Sequence, residues 1–381
     1  MSCNLAKIVA ATVLFAACTP PVYPQANGAH VQVGGADVVR LERRSTSHGR
    51  KLEFLSVTLF PGRGMNAFQI TGNIPGKGET ALLKSPSVEE AARQLNGTGK
   101  DRLGVLNHSF GGAFLIPFSS RITGEVSADG HFLSTKWQGR TITLPLNSGT
   151  YATHGLVNTE KAEDLKTSKT ADGETETAVI HAGDFGGHWL SKTDLHFTIA
   201  LRGDAVDFRI TATNVGEEPE PMAIGWHPYF SIPSGDRSQA RLHVPAARRA
   251  LVNKTDARTT GEFEPVENTA FDFRSADGSL LGESLNVNLS EFDRSHGGFA
   301  AWLSDPKSNY GLRVRALSPQ IQTVQIYSPK NDSFVAIEDQ FNYPDPWGAE
   351  WKGMDTGMVT LRPGQSVTWR VRLELFSPQQ H

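Results

Sequence analysis

Five polar residues stand in glycine-rich or aromatic surroundings and have side chains that could do chemistry. They are Arg121 in PFSSRITG, His154 in YATHGLV, His227 in GWHPYF, Asp293 in EFDRSHGG and Glu338 in FVAIEDQFNYPDPWG. A histidine has an unperturbed pKa near ~6.5 and can donate a proton at neutral pH, whereas an ionised glutamate can act as a base. Arginine offers a fixed fork of hydrogen-bond donors. The set therefore suits proton transfer on a bound polar molecule.

Each of these residues also has an ordinary structural interpretation. A histidine between aromatic residues, such as His227, is often a hydrogen-bonded core residue, and His154 before Gly155 could belong only to a turn. Glu338 ends an apolar run, where an unpaired carboxylate is costly to bury. The histidines that we interpret as structural or peripheral are His108 in LNHSFGG and His188 in GGHWL. The residues alone leave the catalytic and the structural interpretation open.

Several familiar classes of site are excluded by the sequence. It has no GxGxxG opening a helix, no Walker loop, no GxSxG elbow, no HExxH pair and no CxxC. We therefore predict no metal and no nucleotide cofactor. The net charge of −3 and the pI near 6.5 give no electrostatic footprint for nucleic acid or for an anionic membrane surface.

The N-terminal residues have the pattern of a secretory signal. Residues 1–17 carry one charge, Lys7, before the apolar run of residues 8–17, which is too short to span a membrane. Phe15-Ala16-Ala17 before Cys18 approximates a bacterial lipoprotein cleavage site, so a lipid anchor at Cys18 and ordinary cleavage a few residues later are the two alternatives. We expect an exported protein, periplasmic or secreted, in which no cysteine follows Cys18 to form a disulfide.

We divide the chain into residues 1–29, a signal peptide and linker, and residues 30–381, one domain. With 38% hydrophobic residues the chain can bury a core, and large all-β folds often run to this length as single domains. The 37 glycines and 21 prolines suggest many turns. Oligomeric state has no signature in the sequence.

Period-two patterns predict that the domain is all-β and antiparallel. Apolar residues alternate over 195–201 and over 208–212, with Arg202-Gly203-Asp204 between them, which predicts a hairpin with one buried face. Residues 312–316 and 370–375 alternate in the same way and carry charges on the outward positions, as half-exposed antiparallel strands do.

Two segments differ from this strand pattern. Residues 86–95 are predicted to be helical, with Ser85 or Ser87 as N-cap, Glu90 placed as in a capping box and Gly97 just past the end. The polar residues 158–177 are interpreted as a surface excursion between strands.

Six short motifs in order resemble the aldose 1-epimerase (galactose mutarotase) family over residues 55–376. They are Pro117-Phe118 followed by Arg121-Ile122, Leu-Pro-Leu-Asn at 144–147, His154-Gly155, the aromatic-flanked His227, the apolar strand ending at Glu338 with Pro344-Asp345 after it, and Leu361-Arg362-Pro363-Gly364. Asp339 stands where the family usually has a proline. The resemblance implies a large antiparallel β-sandwich, the galactose mutarotase-like supersandwich.

The resemblance also implies site roles and an activity. Glu338 would be the general base and His227 the general acid, and the residues that would hold the sugar are Arg121, His154 and Asp293. Trp226 or Tyr229 could offer the sugar a flat apolar face. Interconverting the anomers of a monosaccharide requires removal of the C1 hydroxyl proton and protonation of the ring oxygen, so one base and one acid suffice without a cofactor.

Two other classes of function remain as alternatives. A non-catalytic carbohydrate-binding or sugar-sensing protein on this scaffold would need only donors and a stacking face. The second class contains a sugar-phosphate epimerase, or a carbohydrate lyase or hydrolase built on a related sandwich. A phosphate site should add a basic cluster near the pocket. The arginines available for it are Arg237, Arg241, Arg248 and Arg249.

Overall fold

The computed structural model describes residues 31–253, 258–294 and 297–378. The predictions of a secretory signal and of lipidation at Cys18 concern residues outside these ranges. Within the described residues, no helix is both long enough and apolar enough to cross a membrane.

The largest element is a nine-stranded antiparallel sheet. In spatial order its strands are Glu163–Lys169, Gly173–Gly183, Thr193–Arg202, Ala205–Asn214, Ser366–Phe376, Tyr310–Ala316, Phe299–Asp305, Arg241–His243 and Ser279–Leu280. The predicted hairpin is confirmed as the pair Thr193–Arg202 and Ala205–Asn214, in which Phe197 pairs with Ile210. Both strands bury alternate residues because one face of the sheet lies on the core.

A seven-stranded antiparallel sheet carries the residues of interest for function. In spatial order its strands are Thr259–Pro265, Ala246–Val252, Leu285–Phe292, Thr323–Ser328, Phe334–Gln340, Gly225–Ser231 and Gly112–Leu115. It packs on the nine-stranded sheet through aromatic rings: Phe114 lies 5.6 Å from Phe197, and Trp226 lies 4.8 Å from Phe208, between ring centroids. The fold is therefore the predicted all-β sandwich.

The described residues also form smaller sheets. A four-stranded sheet contains Val39–Glu42, Glu53–Phe60, Asn66–Ile74 and Gly78–Ala81, and a three-stranded sheet contains Arg140–Pro145, Phe132–Trp137 and Glu125–Val126. The two-stranded sheets pair Gln32–Val33 with Ala36–Asp37, Ala152–Thr153 with Arg121–Ile122, and Glu220–Met222 with Val359–Leu361.

The helical segments are short. The α-helix covers Val88–Gln94, and Ser87 is its N-cap, with the Ser87 hydroxyl accepting from the Glu90 N–H at 3.2 Å. The 3₁₀ segments are Pro61–Arg63, Gly99–Ser109, Val157–Thr159, Arg237–Gln239, Pro306–Ser308 and Ala349–Trp351. The predicted helix is confirmed with slightly shorter bounds, since Ser87 is extended and Leu95 leaves the helical conformation.

The prediction of a surface excursion at residues 158–177 is wrong in part. Glu163–Lys169 is the edge strand of the nine-stranded sheet, and the next strand begins at Gly173. All seven residues of the edge strand are exposed. Their polar composition therefore reflects an edge open to water on both faces, and it carries no alternation by which a strand could be recognised.

Candidate active site

His227 and Glu338 lie opposite each other on neighbouring strands of the seven-stranded sheet. The register pairs Gly225 with Gln340 and Tyr229 with Ala336, so the two side chains emerge on the same face. His227 Nε2 lies 3.5 Å from Glu338 Oε1, and both side chains are buried. The strand pairing therefore brings together two residues that lie more than a hundred positions apart in the sequence.

Gln340 orients the Glu338 carboxylate. Its Nε2 donates to Glu338 Oε2 at 2.8 Å, which leaves Oε1 as the oxygen that faces His227. Residues 338 and 340 share a face because side chains alternate along a strand. The Oε1 of Gln340 is buried and has no hydrogen-bond partner among the described residues, so it is an open acceptor at the site.

His227 belongs to a cluster of three imidazole rings. Between ring centroids, His154 lies 4.9 Å from His227 and 4.8 Å from His108, and His108 lies 6.1 Å from His227. From the sequence, His108 is interpreted as structural or peripheral, whereas in the structure its ring packs against that of His154. The sequence feature that could have indicated a role at the site is its glycine and aromatic neighbours in LNHSFGG.

Arg121 and His154 are brought side by side by a short strand pair. Thr153 pairs with Arg121, and the Arg121 guanidinium lies 5.4 Å from the Tyr151 ring centroid. The Pro344-Asp345 motif supports this pair, because the Asp345 N–H donates to the Arg121 carbonyl at 2.7 Å and its carboxylate accepts from the Thr123 N–H at 2.9 Å. Motifs that lie more than two hundred positions apart in the sequence are thus in contact in the structure.

A pocket of about 300 Å³ is lined by the side chains of Arg121, His154, His227, Glu338 and Gln340, among others. The residues around it are Ser120, Arg121, His154, His227, Tyr229, Arg249, Ala250, Val252, Asn286, Val287, Asn288, Gln325, Tyr327, Glu338, Gln340 and Pro344. Four of these residues are amides, namely Asn286, Asn288, Gln325 and Gln340. They are not identified as candidate site residues from the sequence. Gln325 links two of them, since its Nε2 donates to Asn286 Oδ1 at 2.8 Å and its Oε1 accepts from Asn288 at 3.3 Å.

Two residues predicted for the site do not line this pocket. Trp226 is fully buried in the core, and its indole N–H donates to the Gly112 carbonyl at 2.8 Å. It points to the opposite face of the sheet from His227 because the two are consecutive in one strand. Asp293 is exposed just after the strand Leu285–Phe292 and is not among the lining residues.

The four arginines considered for a phosphate site do not form a cluster at the pocket. Arg249 lines it, but its guanidinium is paired with Glu264 at 2.5 Å. The other three bind elsewhere: Arg237 to the carbonyls of Gly282 and Glu283, Arg241 to the carbonyl of Gly278, and Arg248 to Glu291. His188 also lies outside the pocket, where its Nδ1 is 2.9 Å from the Thr143 carbonyl oxygen.

Burial favours the uncharged forms of the ionisable groups at the site. It lowers the pKa of His227 to about 4 and raises the pKa of Glu338 well above its ordinary value, an effect that the Gln340 hydrogen bond opposes. Burial also lowers the pKa of His154 well below its ordinary value, with smaller contributions from His108, His227 and Arg121. Strongly perturbed ionisable groups that share one pocket are typical of functional sites.

Asp339, next to Glu338 in the strand, faces the core. Neither of its carboxylate oxygens has a hydrogen-bond partner among the described residues, and burial raises its pKa to about 8 despite the nearby Arg294 charge. The folded protein therefore keeps a proton on Asp339 that the unfolded chain loses near its ordinary pKa. The contribution of Asp339 to the free energy of unfolding is therefore largest below the ordinary pKa of an aspartate, and it falls as the pH rises toward about 8.

We expect Asp339→Asn to remove this pH dependence, because an amide does not ionise. Compared with the parent, the variant should lose less free energy of unfolding between about pH 5 and pH 9, by on the order of a few kcal/mol. Urea unfolding at the two pH values measures the difference. The control is Asp204→Asn in the exposed turn of the hairpin. Equal losses in the parent and in Asp339→Asn would contradict the assignment.

Comparison with known proteins gives a family and a fold. The sequence model of the aldose 1-epimerase family matches residues 88–374. The protein YphB of Escherichia coli is 23% identical over 276 residues, which cover 68% of this chain and 82% of YphB.

Solved structures similar to this one include a galactose mutarotase-like protein from Clostridium acetobutylicum, with a TM-score of 0.70, 16% identity, and coverage of 90% of this chain and 99% of that one. A putative aldose 1-epimerase from Escherichia coli has a TM-score of 0.64 and 18% identity, with coverage of 89% and 99%. A galactose 1-epimerase from Lactobacillus acidophilus has a TM-score of 0.60 and 17% identity, with coverage of 90% and 99%. At these identities the structural similarity establishes the sandwich fold.

Proposed function

Because the chain belongs to the aldose 1-epimerase family, we propose that it interconverts the α and β anomers of a free hexose or a related sugar without a cofactor. The observation that carries the proposal is the 3.5 Å separation of His227 Nε2 and Glu338 Oε1 on the wall of a sugar-sized pocket. The two oxygens that exchange protons in this reaction are both bonded to C1. A base and an acid that are close neighbours can therefore serve both oxygens.

In the proposed reaction Glu338 removes the proton from the C1 hydroxyl while His227 donates a proton to the ring oxygen. The C1–ring oxygen bond breaks, and the C1 hydroxyl oxygen becomes the aldehyde oxygen. The aldehyde then rotates about the C1–C2 bond. Glu338 returns its proton to the aldehyde oxygen and His227 recovers the proton from the attacking hydroxyl, so that the ring closes with the other configuration. Each well-placed proton-transfer group typically contributes ~10²–10⁴ in rate.

Burial of the pair affects the energetics of this exchange. It lowers the pKa of His227 to about 4 and raises that of Glu338, so the uncharged forms of both groups are favoured. Ring opening starts with a proton on the imidazole and ends with a proton on the carboxyl. Burial favours the second arrangement, in which both groups are uncharged, and this lowers the free energy of the ring-open state relative to an exposed pair.

The pocket lining favours an unphosphorylated sugar over a sugar phosphate. Its polar residues include the amides Asn286, Asn288, Gln325 and Gln340, which can both donate to and accept from hydroxyl groups. Arg249 is already neutralised by Glu264. A non-catalytic sugar-binding protein would need the hydroxyl partners alone, and the buried histidine–glutamate pair is what favours an enzyme over that alternative.

The direct experiment follows the optical rotation of freshly dissolved α-glucose and α-galactose with and without the protein. We expect a faster approach to the equilibrium rotation with at least one sugar, in proportion to protein concentration. Spontaneous rates with both sugars, together with saturable binding of either, would instead support the sugar-binding alternative. Acceleration only with 6-phosphorylated sugars would support the sugar-phosphate epimerase.

Arg121→Ala should weaken sugar binding. The proposed role of the guanidinium is to hold hydroxyl groups in both the ground state and the transition state, so KM should rise by about tenfold while kcat changes less. Initial rates over a range of sugar concentrations separate the two constants. The control is Arg248→Ala, since Arg248 pairs with Glu291 and does not line the pocket. A fall in kcat with unchanged KM would contradict this role.

A further inference from the structure

Three buried asparagines form a chain of hydrogen bonds behind the histidine cluster. Asn66 Nδ2 donates to Asn107 Oδ1 at 2.7 Å, and Asn107 Nδ2 donates to Asn158 Oδ1 at 3.1 Å. Asn158 Nδ2 lies 2.8 Å from His108 Nε2. All three asparagines are at most 2% exposed. We refer to Asn66, Asn107 and Asn158 as the asparagine chain.

Backbone groups fix the direction of the hydrogen bonds in the asparagine chain. Asn66 Nδ2 also donates to the Phe110 carbonyl at 3.1 Å, and its Oδ1 accepts from the Gly112 N–H at 3.3 Å. Asn107 Nδ2 also donates to the Arg63 carbonyl at 3.2 Å. A carbonyl oxygen only accepts and an N–H only donates, so neither amide can be inverted without losing these bonds.

The direction of the chain determines the tautomer of His108. The Oδ1 of Asn158 is occupied by Asn107, so Asn158 presents an N–H to His108 Nε2. The Nε2 atom must then accept, and the proton of the neutral ring lies on Nδ1. Desolvation and the neighbouring His227 lower the pKa of His108 to about 3, in keeping with a neutral ring.

His108 in turn packs against His154, with 4.8 Å between the two ring centroids. His154 has a φ of 63°, in the left-handed region that is uncommon for residues other than glycine. Its N–H donates to the Ser120 carbonyl at 2.8 Å, which holds the backbone at this position.

We propose that the asparagine chain sets the tautomer of His108 and orients its ring, and that the His108 ring, packed against the His154 imidazole, keeps that imidazole on the pocket wall. Asn158 and His108 are positioning residues that act through His154. The expected effect on turnover rests on the proposed function, whereas the tautomer of His108 does not.

The test is ¹⁵N NMR of the histidine rings, with the His108 signals assigned by comparison with His108→Gln. In the parent protein we expect a protonated Nδ1 and an unprotonated Nε2 at neutral pH. In Asn158→Asp the carboxylate can only accept, so His108 must donate through Nε2, and the Nε2 signal should move to the protonated range. Displacement of His154 should lower kcat/KM for anomer interconversion on the order of tenfold or more.

Asn73→Asp is the matched control, because Asn73 lies on the same strand as Asn66, is 5% exposed and donates to the Lys51 carbonyl at 2.6 Å. It should leave the His108 signals and kcat/KM unchanged.

A parent protein with the His108 proton on Nε2, or an Asn158→Asp spectrum identical to the parent's, would overturn the proposal. If Asn158→Asp does not fold, Asn107→Asp replaces it: this variant frees the Asn158 amide to invert, and a mixture of tautomers is expected. If the parent protein shows no mutarotation, the proposed function fails while the NMR result still decides the tautomer.

Discussion

Glu338→Gln is expected to lower kcat for anomer interconversion by ~10² or more while sugar affinity changes little. Glutamine keeps the size of the side chain, and its amide oxygen can still accept the hydrogen bond from Gln340 Nε2. It cannot take the proton from the C1 hydroxyl, so only the base is lost. Initial rates by polarimetry give kcat, and titration of intrinsic fluorescence with the sugar gives the affinity.

Glu220→Gln is the matched control for this variant. Glu220 is another fully buried glutamate, with its pKa raised to about 8 by burial, but it lies outside the pocket and accepts from the Thr193 hydroxyl. Replacing it removes a buried carboxyl without touching the proposed acid–base pair, so kcat should stay at the parental value. A similar kcat in Glu338→Gln would rule out Glu338 as the base.

His227→Asn should also lower kcat by ~10² or more, because asparagine can donate a hydrogen bond to the ring oxygen but cannot transfer a proton to it. The double variant with Glu338→Gln should be scarcely slower than the slower single variant. Residues that act in one concerted exchange have strongly non-additive effects. The same rate and affinity measurements on all three variants complete the cycle.

The control for the histidine is His243→Asn. The His243 ring stacks on Trp302 at 5.3 Å between centroids and its Nδ1 is 2.8 Å from the Ser275 carbonyl oxygen, away from the pocket. It should keep the parental kcat. Losses that multiply in the double variant would mean that His227 and Glu338 act in independent steps, which the proposed mechanism does not allow.

Much of the fold could be predicted from the sequence because half-buried strands carry a period of two. The hairpin of Thr193–Arg202 and Ala205–Asn214 and the terminal strand Ser366–Phe376 were recognised in this way. The edge strand Glu163–Lys169 was missed because every one of its residues is exposed. A strand without a buried face has no hydrophobic pattern to read.

The strand period also explains which candidate site residues the structure brings together. His227 and Tyr229 are two positions apart in one strand and both line the pocket, as do Glu338 and Gln340. Trp226 is one position from His227 and therefore faces the core. The alternation of side chains along the strand Gly225–Ser231 therefore places Trp226 and Tyr229 on opposite faces of the sheet.

The support for the histidine cluster could not be predicted from local patterns. His108 lies in the segment Gly99–Ser109, which includes left-handed residues at Leu103 and Gly104 and has no regular period. The asparagine chain behind it is drawn from positions 66, 107 and 158. Contacts between such distant and irregular segments depend on the tertiary fold, and no spacing in the sequence encodes them.

The most direct test of the account is NMR magnetisation exchange between the α and β anomers of a ¹³C1-labelled hexose at equilibrium, with the parent protein and with Glu338→Gln. Exchange at equilibrium reports turnover itself, without the need for freshly dissolved sugar. We predict exchange between the two C1 signals with the parent protein that is lost in Glu338→Gln, although the variant still binds the sugar. Parental exchange in Glu338→Gln, or no exchange with the parent protein for any hexose that it binds, would contradict catalysis by the Glu338–His227 pair.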